Sequence, residues 1–271
     1  MPFYILIILS IVQGLTEFLP VSSSGHLVLM YNLFGINDGS KLLSIILHIA
    51  TLLSVIIYYR NELWKLVKKP LCSTNLKIIV TTITTCLLVL IIKPIIDLTF
   101  SGDYLFIFFI ITAILLYVSD YITYRRFVSI NNSFVTKYSS VSNNITSLNI
   151  TYKQAIIIGI TQAVACIPGI SRSGSTIAVS RIIGINHDAT TYSFLISIPI
   201  IIASLILEIL EGGITLSVSP LPLIFCMIIC FLIGLICIKL MTTFVNKNKL
   251  TYFSYYLIIL SAILIFFSLL K

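Results

Sequence analysis

The sequence predicts an all-α polytopic membrane protein with about six spanning helices and two re-entrant helical hairpins in an inverted-topology repeat. Three observations predict this fold: an apolar composition, six long apolar segments, and two polar motifs that are each interrupted by a proline. Of the 271 residues, 58% are hydrophobic and 10% are charged, and the mean hydropathy is +1.11. Soluble domains carry about 25% charged residues, so this composition excludes a soluble globular protein.

Six apolar segments have about the length that an α-helix needs to cross a bilayer, roughly 20 residues. Trp64 and the pair Tyr58 and Tyr59, near the end of the first segment, are expected to be interfacial anchors. The segments are Leu42–Tyr59, Ile78–Asp97, Tyr104–Tyr124, Thr190–Leu210, Pro220–Lys239 and Thr251–Leu270.

The basic residues lie mainly between these segments. Arg60–Lys77, Arg125–Lys153 and Lys239–Lys249 are basic connections, and the positive-inside rule places them in the cytoplasm. Residues 1–41 and 153–189 must then each begin and end on one side of the membrane, so we predict two re-entrant hairpins that enter from opposite faces. Juxtamembrane basic residues meet anionic lipid headgroups, and we expect no nucleic-acid partner.

The two halves of the chain carry related motifs, which predicts an internal repeat. Gly14–Glu17 followed by Pro20 parallels Gly159–Gln162 followed by Pro168. Because each half crosses the membrane three times, an odd number, the halves must have opposite orientations, which is a recurrent plan in transporters. The expected parts are a first repeat at 1–127, a polar cytoplasmic linker at 128–152 and a second repeat at 153–271.

The first motif places two polar side chains on one helix face, ahead of a proline. Gln13 and Glu17 are four residues apart and therefore lie on the same side of a helix, which Pro20 is expected to end. Ionisable side chains are costly within a membrane and mark functional sites. We therefore predict that the tips of the two hairpins meet and form a polar pocket around Glu17.

A serine cluster follows Pro20 and precedes a second helix. Its hydroxyl and backbone N–H groups can bind an anion at a helix N-terminus, and Ser24 is the expected N-cap of a helix that restarts near His26. The His26 imidazole, at the edge of this cluster, is a candidate for proton transfer. The cluster consists of Ser22, Ser23 and Ser24.

The second motif repeats this order around Pro168 and adds a guanidinium group. Arg172 suits a two-point grip on phosphate oxygens. Together, the two motifs predict one phosphate-handling site. Its predicted substrate-binding groups in the second motif are Ser171, Ser173, Gly174 and Thr176.

Plainer interpretations remain open for several residues. Glu17 and Arg172 can neutralise each other as a structural pair that joins the hairpin tips, and His26 can be a core histidine. His48 lies in a spanning segment, where an interhelical hydrogen bond is favoured over catalysis. Asp120 lies in the interior of another segment and is assigned no role.

At these motifs, and over essentially its whole length, the chain closely resembles the undecaprenyl-diphosphatase family, the bacitracin-resistance type of bacterial membrane phosphatase. Gln13 occupies a position that is often Glu in that family, and Ser24 stands where Thr is common. The resemblance is carried by Gln13–Glu17, Pro20–His26, Leu47–Thr51, Pro168–Thr176 and Tyr192–Pro199.

The resemblance implies hydrolysis of undecaprenyl diphosphate to undecaprenyl phosphate and inorganic phosphate, which recycles the lipid carrier for peptidoglycan synthesis. It implies a bacterial inner-membrane protein whose site opens to the periplasm and uses a divalent cation, Mg²⁺ or Ca²⁺, held by Glu17. It also implies that Arg172 holds the diphosphate, that His26 transfers protons, and that Ser23 attacks the terminal phosphorus unless a water does so directly. A homodimer is one oligomeric state that we consider.

Two other functions compete with hydrolysis. A transporter or flippase for a polyprenyl phosphate would use the same inverted hairpins, but it needs no carboxylate and hydroxyl cluster around phosphorus. A purely structural membrane subunit would need neither Glu17 nor Arg172. The motifs favour the phosphatase over both alternatives.

Overall fold

The computed structural model describes residues 2–36, 40–132, 145–186, 188–210 and 220–269, and these ranges contain helices and no strand. The first half of the chain forms α1 (Phe3–Thr16), α2 (Ser23–Phe34), α3 (Ser40–Tyr58), α4 (Arg60–Lys68), α5 (Ser73–Thr99) and α6 (Leu105–Asn132). The second half forms α7 (Tyr152–Val164), α8 (Arg172–Ile182), α9 (Ala189–Leu210), α10 (Pro220–Asn246) and α11 (Thr251–Leu269).

Five helices in the described ranges are long and apolar enough to cross a membrane, namely α5, α6, α9, α10 and α11. A sixth span results if α3 is counted together with α4, which is bent from it by 75°. All six predicted spans are thus confirmed as helices. The chain is an all-α polytopic membrane protein.

The connection after α3 is a helix with an exposed tryptophan. Trp64 on α4 is 61% exposed, with the ammonium of Lys68 5.2 Å from its ring centroid, as expected of an interfacial anchor. The expectation for Tyr59 is wrong. This residue is only 5% exposed, and its ring lies 6.1 Å from that of Phe194 between centroids, because the bend after Tyr58 places it in the core.

The first helix of each hairpin packs against a spanning helix through a glycine. A Cβ added at Gly14 of α1 would lie 2.9 Å from the carbonyl oxygen of Cys230 on α10. At Gly159 of α7, an added Cβ would lie 2.8 Å from the carbonyl oxygen of Thr81 on α5. Small residues permit such close approach between membrane helices, so α1 and α7 have equivalent environments in the two halves.

The helices of the first half make several of the same contacts as their counterparts in the second half. α1 packs on α10 and α7 on α5, while α3 packs on α10 and α9 on α5. The pairs α3–α9 and α6–α11 each bring corresponding helices of the two halves together. Two copies related by a twofold axis would give this pattern. The inverted repeat and its boundaries remain a prediction.

The last part of the predicted linker, from Ile145 onward, is ordered into a turn and packs in the protein interior. A 3₁₀ turn at Ile145–Ser147 leads into the buried Leu148. The Thr74 hydroxyl at the start of α5 donates to the Ile145 carbonyl at 2.8 Å and accepts from the Leu148 amide at 3.1 Å. The Lys77 ammonium donates to the Leu148 carbonyl at 3.1 Å. These bonds fix the entry to α7.

A buried ion pair holds the far end of the second hairpin. Arg181 on α8 is 1% exposed and donates to Asp120 Oδ1 on α6 at 2.6 Å and to Asn248 Oδ1. Asp120 Oδ2 accepts from the amide and hydroxyl of Thr251 at 2.8 and 2.9 Å. Asp120, which has no role in the sequence analysis, therefore ties α6, α8 and the start of α11 together.

Candidate active site

The breaks of the two hairpins contact each other at the centre of the fold. The Ser22 hydroxyl accepts a hydrogen bond from the Gly169 amide at 3.1 Å. A Cβ added at Gly25 would lie 3.0 Å from the Gly169 Cα, and one added at Gly174 would lie 2.9 Å from the Pro20 Cβ. The predicted meeting of the hairpin tips is confirmed, and it depends on glycines at the contact.

The helix breaks begin earlier than the prolines suggest. α1 ends at Thr16 with Glu17 as its C-cap, four residues before Pro20, and α7 ends at Val164, four residues before Pro168. The expectation that Pro20 itself ends the helix is therefore wrong. As a result, Glu17 lies at the end of α1, where its side chain can point into the break.

Serine caps start the second helix of each hairpin. The N-cap of α2 is Ser22, whose hydroxyl accepts from the Gly25 amide at 3.3 Å, so the expected cap at Ser24 is wrong by two residues. Ser24 instead lies 3.4 Å from Ser22 between hydroxyl oxygens. The N-cap of α8 is Ser171, whose hydroxyl accepts from the Gly174 amide at 3.0 Å. Both helix N-termini thus face the junction of the hairpins.

A threonine of α6 supports the second break. The Ser171 amide donates to the Thr112 hydroxyl at 3.1 Å, and this hydroxyl donates to the Gly169 carbonyl at 3.1 Å. Gly169 has a φ of +95°, a left-handed conformation that glycine adopts without strain. The backbone that presents Arg172 is therefore fixed from both sides.

Glu17 is the centre of the polar cluster. Its Oε1 accepts from the Arg172 guanidinium, and its Oε2 accepts from the Ser23 hydroxyl at 2.6 Å and from the Gln13 amide nitrogen at 3.0 Å. The bond between Gln13 and Glu17 confirms that they share one helix face. Carboxylate, guanidinium and hydroxyl from three helix ends therefore meet at one point, with Arg172 neutralising Glu17.

His48 faces this cluster from α3. Its Nε2 lies 4.0 Å from Glu17 Oε2, and its Nδ1 lies 2.8 Å from the Ser44 carbonyl oxygen in the same helix. The hydrogen bond that fixes its ring therefore lies within α3. The expected interhelical hydrogen bond is wrong. In the sequence, only the resemblance of Leu47–Thr51 to a family segment indicates that His48 lies near the site.

His26 lies on the other side of the serine cluster, and both of its ring nitrogens are engaged. Nδ1 is 2.8 Å from the Ser22 carbonyl oxygen, and Nε2 is 2.7 Å from the Tyr256 hydroxyl on α11. The two rings stack with centroids 5.8 Å apart. The structure thus separates His26 from the Glu17 cluster, and its role in proton transfer stays a prediction.

A small cavity of about 10 Å³ adjoins Glu17 and Arg172, which is close to the space of one water molecule. Ser173 lines it and donates to the Leu19 carbonyl at 3.3 Å, while Thr176 is hydrogen-bonded to Ser193 of α9. The lining from α9 was not among the predicted site residues; it consists of Ser193, Phe194 and Ser197.

The donor atoms of this site suit a divalent cation in part. Within the described ranges, no three side chains of the types His, Cys, Asp and Glu cluster as metal ligands. However, Gln13 is fully buried, and its Oε1 has no hydrogen-bond partner. A carboxylate and an amide oxygen are ligands that Mg²⁺ and Ca²⁺ prefer, and Mg²⁺ commonly takes further oxygens from substrate phosphates. Glu17 and Gln13 therefore fit such a cation.

Replacing Gly25 with alanine is expected to destabilise the protein by about 1–3 kcal/mol, the usual cost of overpacking. The new Cβ would lie 2.8 Å from the Phe109 ring and 3.0 Å from Gly169, so the hairpin tips must separate. Thermal unfolding in detergent would measure the change. Leu33→Ala on α2, where the side chain is 71% exposed, is the control and should change the melting temperature little; an equal shift in both variants would contradict the close contact.

Comparison with known proteins agrees with the geometry. The family model described as bacitracin resistance protein BacA matches residues 6–263. An undecaprenyl-diphosphatase of Carboxydothermus hydrogenoformans is 37% identical over 260 residues, covering 94% of this chain and 93% of that protein. One from Thermosipho melanesiensis is 35% identical over 264 residues, covering 94% and 95%. The fold, the joined hairpin motifs and these matches together show that this chain belongs to the BacA family of bacitracin resistance proteins.

Proposed function

We propose that this protein is an undecaprenyl-diphosphate phosphatase, which hydrolyses the terminal anhydride bond to release inorganic phosphate and undecaprenyl phosphate. The observation that carries the proposal is the meeting of Glu17, Ser23 and Arg172 at the junction of two helix N-termini. Phosphoryl transfer depends mainly on positioning and on stabilising the charge of the phosphoryl oxygens. The product recycles the lipid carrier for cell-wall synthesis, and this activity accounts for bacitracin resistance.

Arg172 and the start of α8 are the groups that would hold the diphosphate. A helix N-terminus attracts phosphate through its backbone N–H groups and its dipole, and a guanidinium binds phosphate oxygens in pairs. Arg172 is the first residue of α8, so its side chain and the helix N-terminus act on the same region. Binding of substrate would require Glu17 to share the Arg172 guanidinium with the phosphate, which makes the ion pair a resting state.

Ser23 is positioned to act as the nucleophile. Its hydroxyl donates to Glu17 Oε2 at 2.6 Å, so Glu17 can accept the proton as the serine oxygen attacks the terminal phosphorus. The anhydride bond breaks and undecaprenyl phosphate leaves. A water then attacks the phosphoserine, giving inorganic phosphate and restoring the serine. In direct attack, Glu17 would accept the proton from water instead.

Ser23→Ala is expected to lower turnover at least about a hundredfold if the serine is the nucleophile, because the covalent route is lost. Steady-state phosphate release measures this loss, and rapid acid quenching with substrate labelled at the terminal phosphorus tests for phosphoserine in the unmodified protein. Ser204→Ala is the matched control, since its hydroxyl donates only to the Ile201 carbonyl of its own helix among the described contacts. Unchanged turnover in Ser23→Ala would establish direct attack by water.

A divalent cation such as Mg²⁺ or Ca²⁺ is part of the proposal. Glu17 and Gln13 would hold it, and when bound it would offset the negative charge of the diphosphate. Gln13 would contribute a neutral amide oxygen, so the site would carry one carboxylate, and substrate oxygens would supply further ligands. The proposed roles of His26 in proton transfer and of Ser22, Ser171, Gly174 and Thr176 in binding follow from their places around the junction.

The chain is a multi-pass membrane protein, and the bacterial family supports a plasma-membrane location. We propose that the site opens to the periplasm, as the family resemblance implies. The basic residues of α4 and of the end of α10 favour the cytoplasmic face for those helix ends. The transporter alternative is not favoured by the family assignment. A homodimer stays a prediction.

Product analysis tests the proposed reaction. Purified protein in detergent is incubated with undecaprenyl diphosphate, and the lipid products are identified by mass spectrometry. The proposal predicts undecaprenyl phosphate and one equivalent of inorganic phosphate. Undecaprenol with released diphosphate, or unchanged substrate with folded protein and added Mg²⁺, would contradict it.

A further inference from the structure

We infer that His48 is a ligand of the site's divalent cation, so that the cation is held by one imidazole nitrogen together with Glu17 and Gln13. This inference deepens the proposed function and rests on its cation site. The supporting observations are the tautomer of His48, the buried oxygen of Gln13, and the contrast with His26.

The hydrogen bond at Nδ1 fixes which tautomer the neutral His48 ring adopts. A backbone carbonyl can only accept, so the 2.8 Å contact with the Ser44 carbonyl places the hydrogen on Nδ1. Nε2 of the neutral ring then carries a lone pair, and this atom lies 4.0 Å from Glu17 Oε2. Histidines that bind metals almost always donate their other ring N–H to a carbonyl or carboxylate in this way.

A separation of 4.0 Å between two acceptor atoms suits a bridging cation. Metal bonds to histidine nitrogen and carboxylate oxygen are about 2.0–2.2 Å long, so one ion can reach both atoms. The Arg172 guanidinium contacts the opposite oxygen of Glu17, Oε1, so it does not stand between Oε2 and His48.

Gln13 supplies the third donor. Its side chain is fully buried, its amide nitrogen contacts Glu17 Oε2 at 3.0 Å, and its Oε1 lacks a hydrogen-bond partner. A half-turn of the terminal amide, whose torsion is broad and roughly twofold, exchanges the positions of nitrogen and oxygen. The oxygen would then face a cation at Glu17 Oε2.

His26 shows what a histidine without this role looks like. Its Nδ1 also contacts a carbonyl four residues earlier, but its Nε2 accepts from the Tyr256 hydroxyl at 2.7 Å. His26 therefore has the same tautomer as His48, but the Tyr256 hydroxyl donates to its Nε2 lone pair. Of the two histidines in the described ranges, only His48 turns Nε2 toward Glu17.

The donor set also indicates which ions bind well. Carboxylate and amide oxygens suit Mg²⁺, Ca²⁺ and Mn²⁺, whereas imidazole suits first-row transition ions. A site with both types therefore favours a first-row divalent cation such as Mn²⁺ over Ca²⁺. Mn²⁺ is also paramagnetic, so its ligands can be identified directly.

Pulsed electron paramagnetic resonance of protein-bound Mn²⁺ tests the inference without lipid substrate. We expect a ¹⁴N coupling from one directly bound imidazole, replaced by a ¹⁵N coupling when only histidine is labelled with ¹⁵N. The sequence has three histidines, so His48→Gln should abolish the coupling and weaken Mn²⁺ binding at least about tenfold. His26→Gln and His187→Gln should keep the coupling.

Bound Mn²⁺ without nitrogen coupling, a coupling that persists in His48→Gln, or no Mn²⁺ binding to folded protein would each overturn the inference. If His48→Gln fails to fold, the ¹⁵N-histidine experiment on the His26→Gln and His187→Gln variants assigns the nitrogen by elimination. Phosphate release is measured separately. A histidine-bound Mn²⁺ in a protein that releases no phosphate would refute only the proposed function, and metal-dependent release without nitrogen coupling would refute only the role of His48.

Discussion

Replacing Arg172 with alanine should lower kcat/KM for undecaprenyl diphosphate by about a thousandfold, the usual effect of removing a cation that stabilises a phosphoryl transition state. The loss has two causes. The diphosphate loses its guanidinium partner, and Glu17, which is buried, loses the group that neutralises it. Steady-state phosphate release at several lipid concentrations would measure the change.

Two further variants make this experiment specific. Arg172→Lys keeps the charge but not the planar fork, so it should recover only part of the activity. Arg125→Ala removes an exposed arginine on α6 whose guanidinium lies over the Tyr121 ring, and it should leave kcat/KM unchanged. Equal activity of Arg172→Ala and Arg125→Ala would show that Arg172 serves only to hold Glu17 in the folded protein.

Removing the carboxylate of Asp120 should destabilise the protein by about 3–5 kcal/mol, because it leaves the buried Arg181 charge without its partner. Asp120 accepts from both Arg181 and Thr251, so Asp120→Ala also loosens the turn before α11. Thermal unfolding in detergent should show a large fall in melting temperature. This effect concerns folding and is independent of catalysis.

The double replacement Asp120→Leu with Arg181→Met is the informative control for this ion pair. Replacing both partners of a buried pair by apolar side chains is often neutral or stabilising, so the double variant should be clearly more stable than Asp120→Ala. Asp103→Ala, at an exposed position before α6, should have little effect. A double variant as unstable as Asp120→Ala would mean that the surrounding contacts, and not the uncompensated charge, cause the loss.

Hydrophobic runs predict most of this fold. All six apolar segments are helices, and the two polar motifs each break into two helices whose junctions contact each other. The re-entry of these hairpins from opposite faces, which the loop charges predict, stays a prediction. The errors lie at helix ends. Pro20 marks the break but not the last helical residue. The cap is Ser22, which has a φ of +70° and whose hydroxyl accepts from Gly169 of the other hairpin. A contact between halves has no signal in the local sequence.

The candidate site, like the fold, could be predicted from the sequence only in part. Glu17, Gln13, Ser23 and Arg172 come together as predicted because each motif carries its own polar groups to the break. His48 and the cavity lining from α9 lie in apolar segments, where a single polar residue is typical of an ordinary membrane helix. Their place at the site depends on how α3 and α9 pack, which hydrophobic periodicity alone does not determine. The burial of Tyr59 likewise depends on helix packing, since the bend after Tyr58 brings its ring next to Phe194.

Phosphate release from undecaprenyl diphosphate with Mg²⁺, compared between the unmodified protein, Glu17→Gln, Arg172→Ala and the double variant, tests most directly whether the two hairpins form one catalytic site. Groups that act as a unit have strongly non-additive effects on turnover. We therefore predict that the double variant loses little more activity than either single variant, each reduced by about a thousandfold. Activity losses that multiply in the double variant, or a Glu17→Gln variant as active as the unmodified protein, would contradict a shared site.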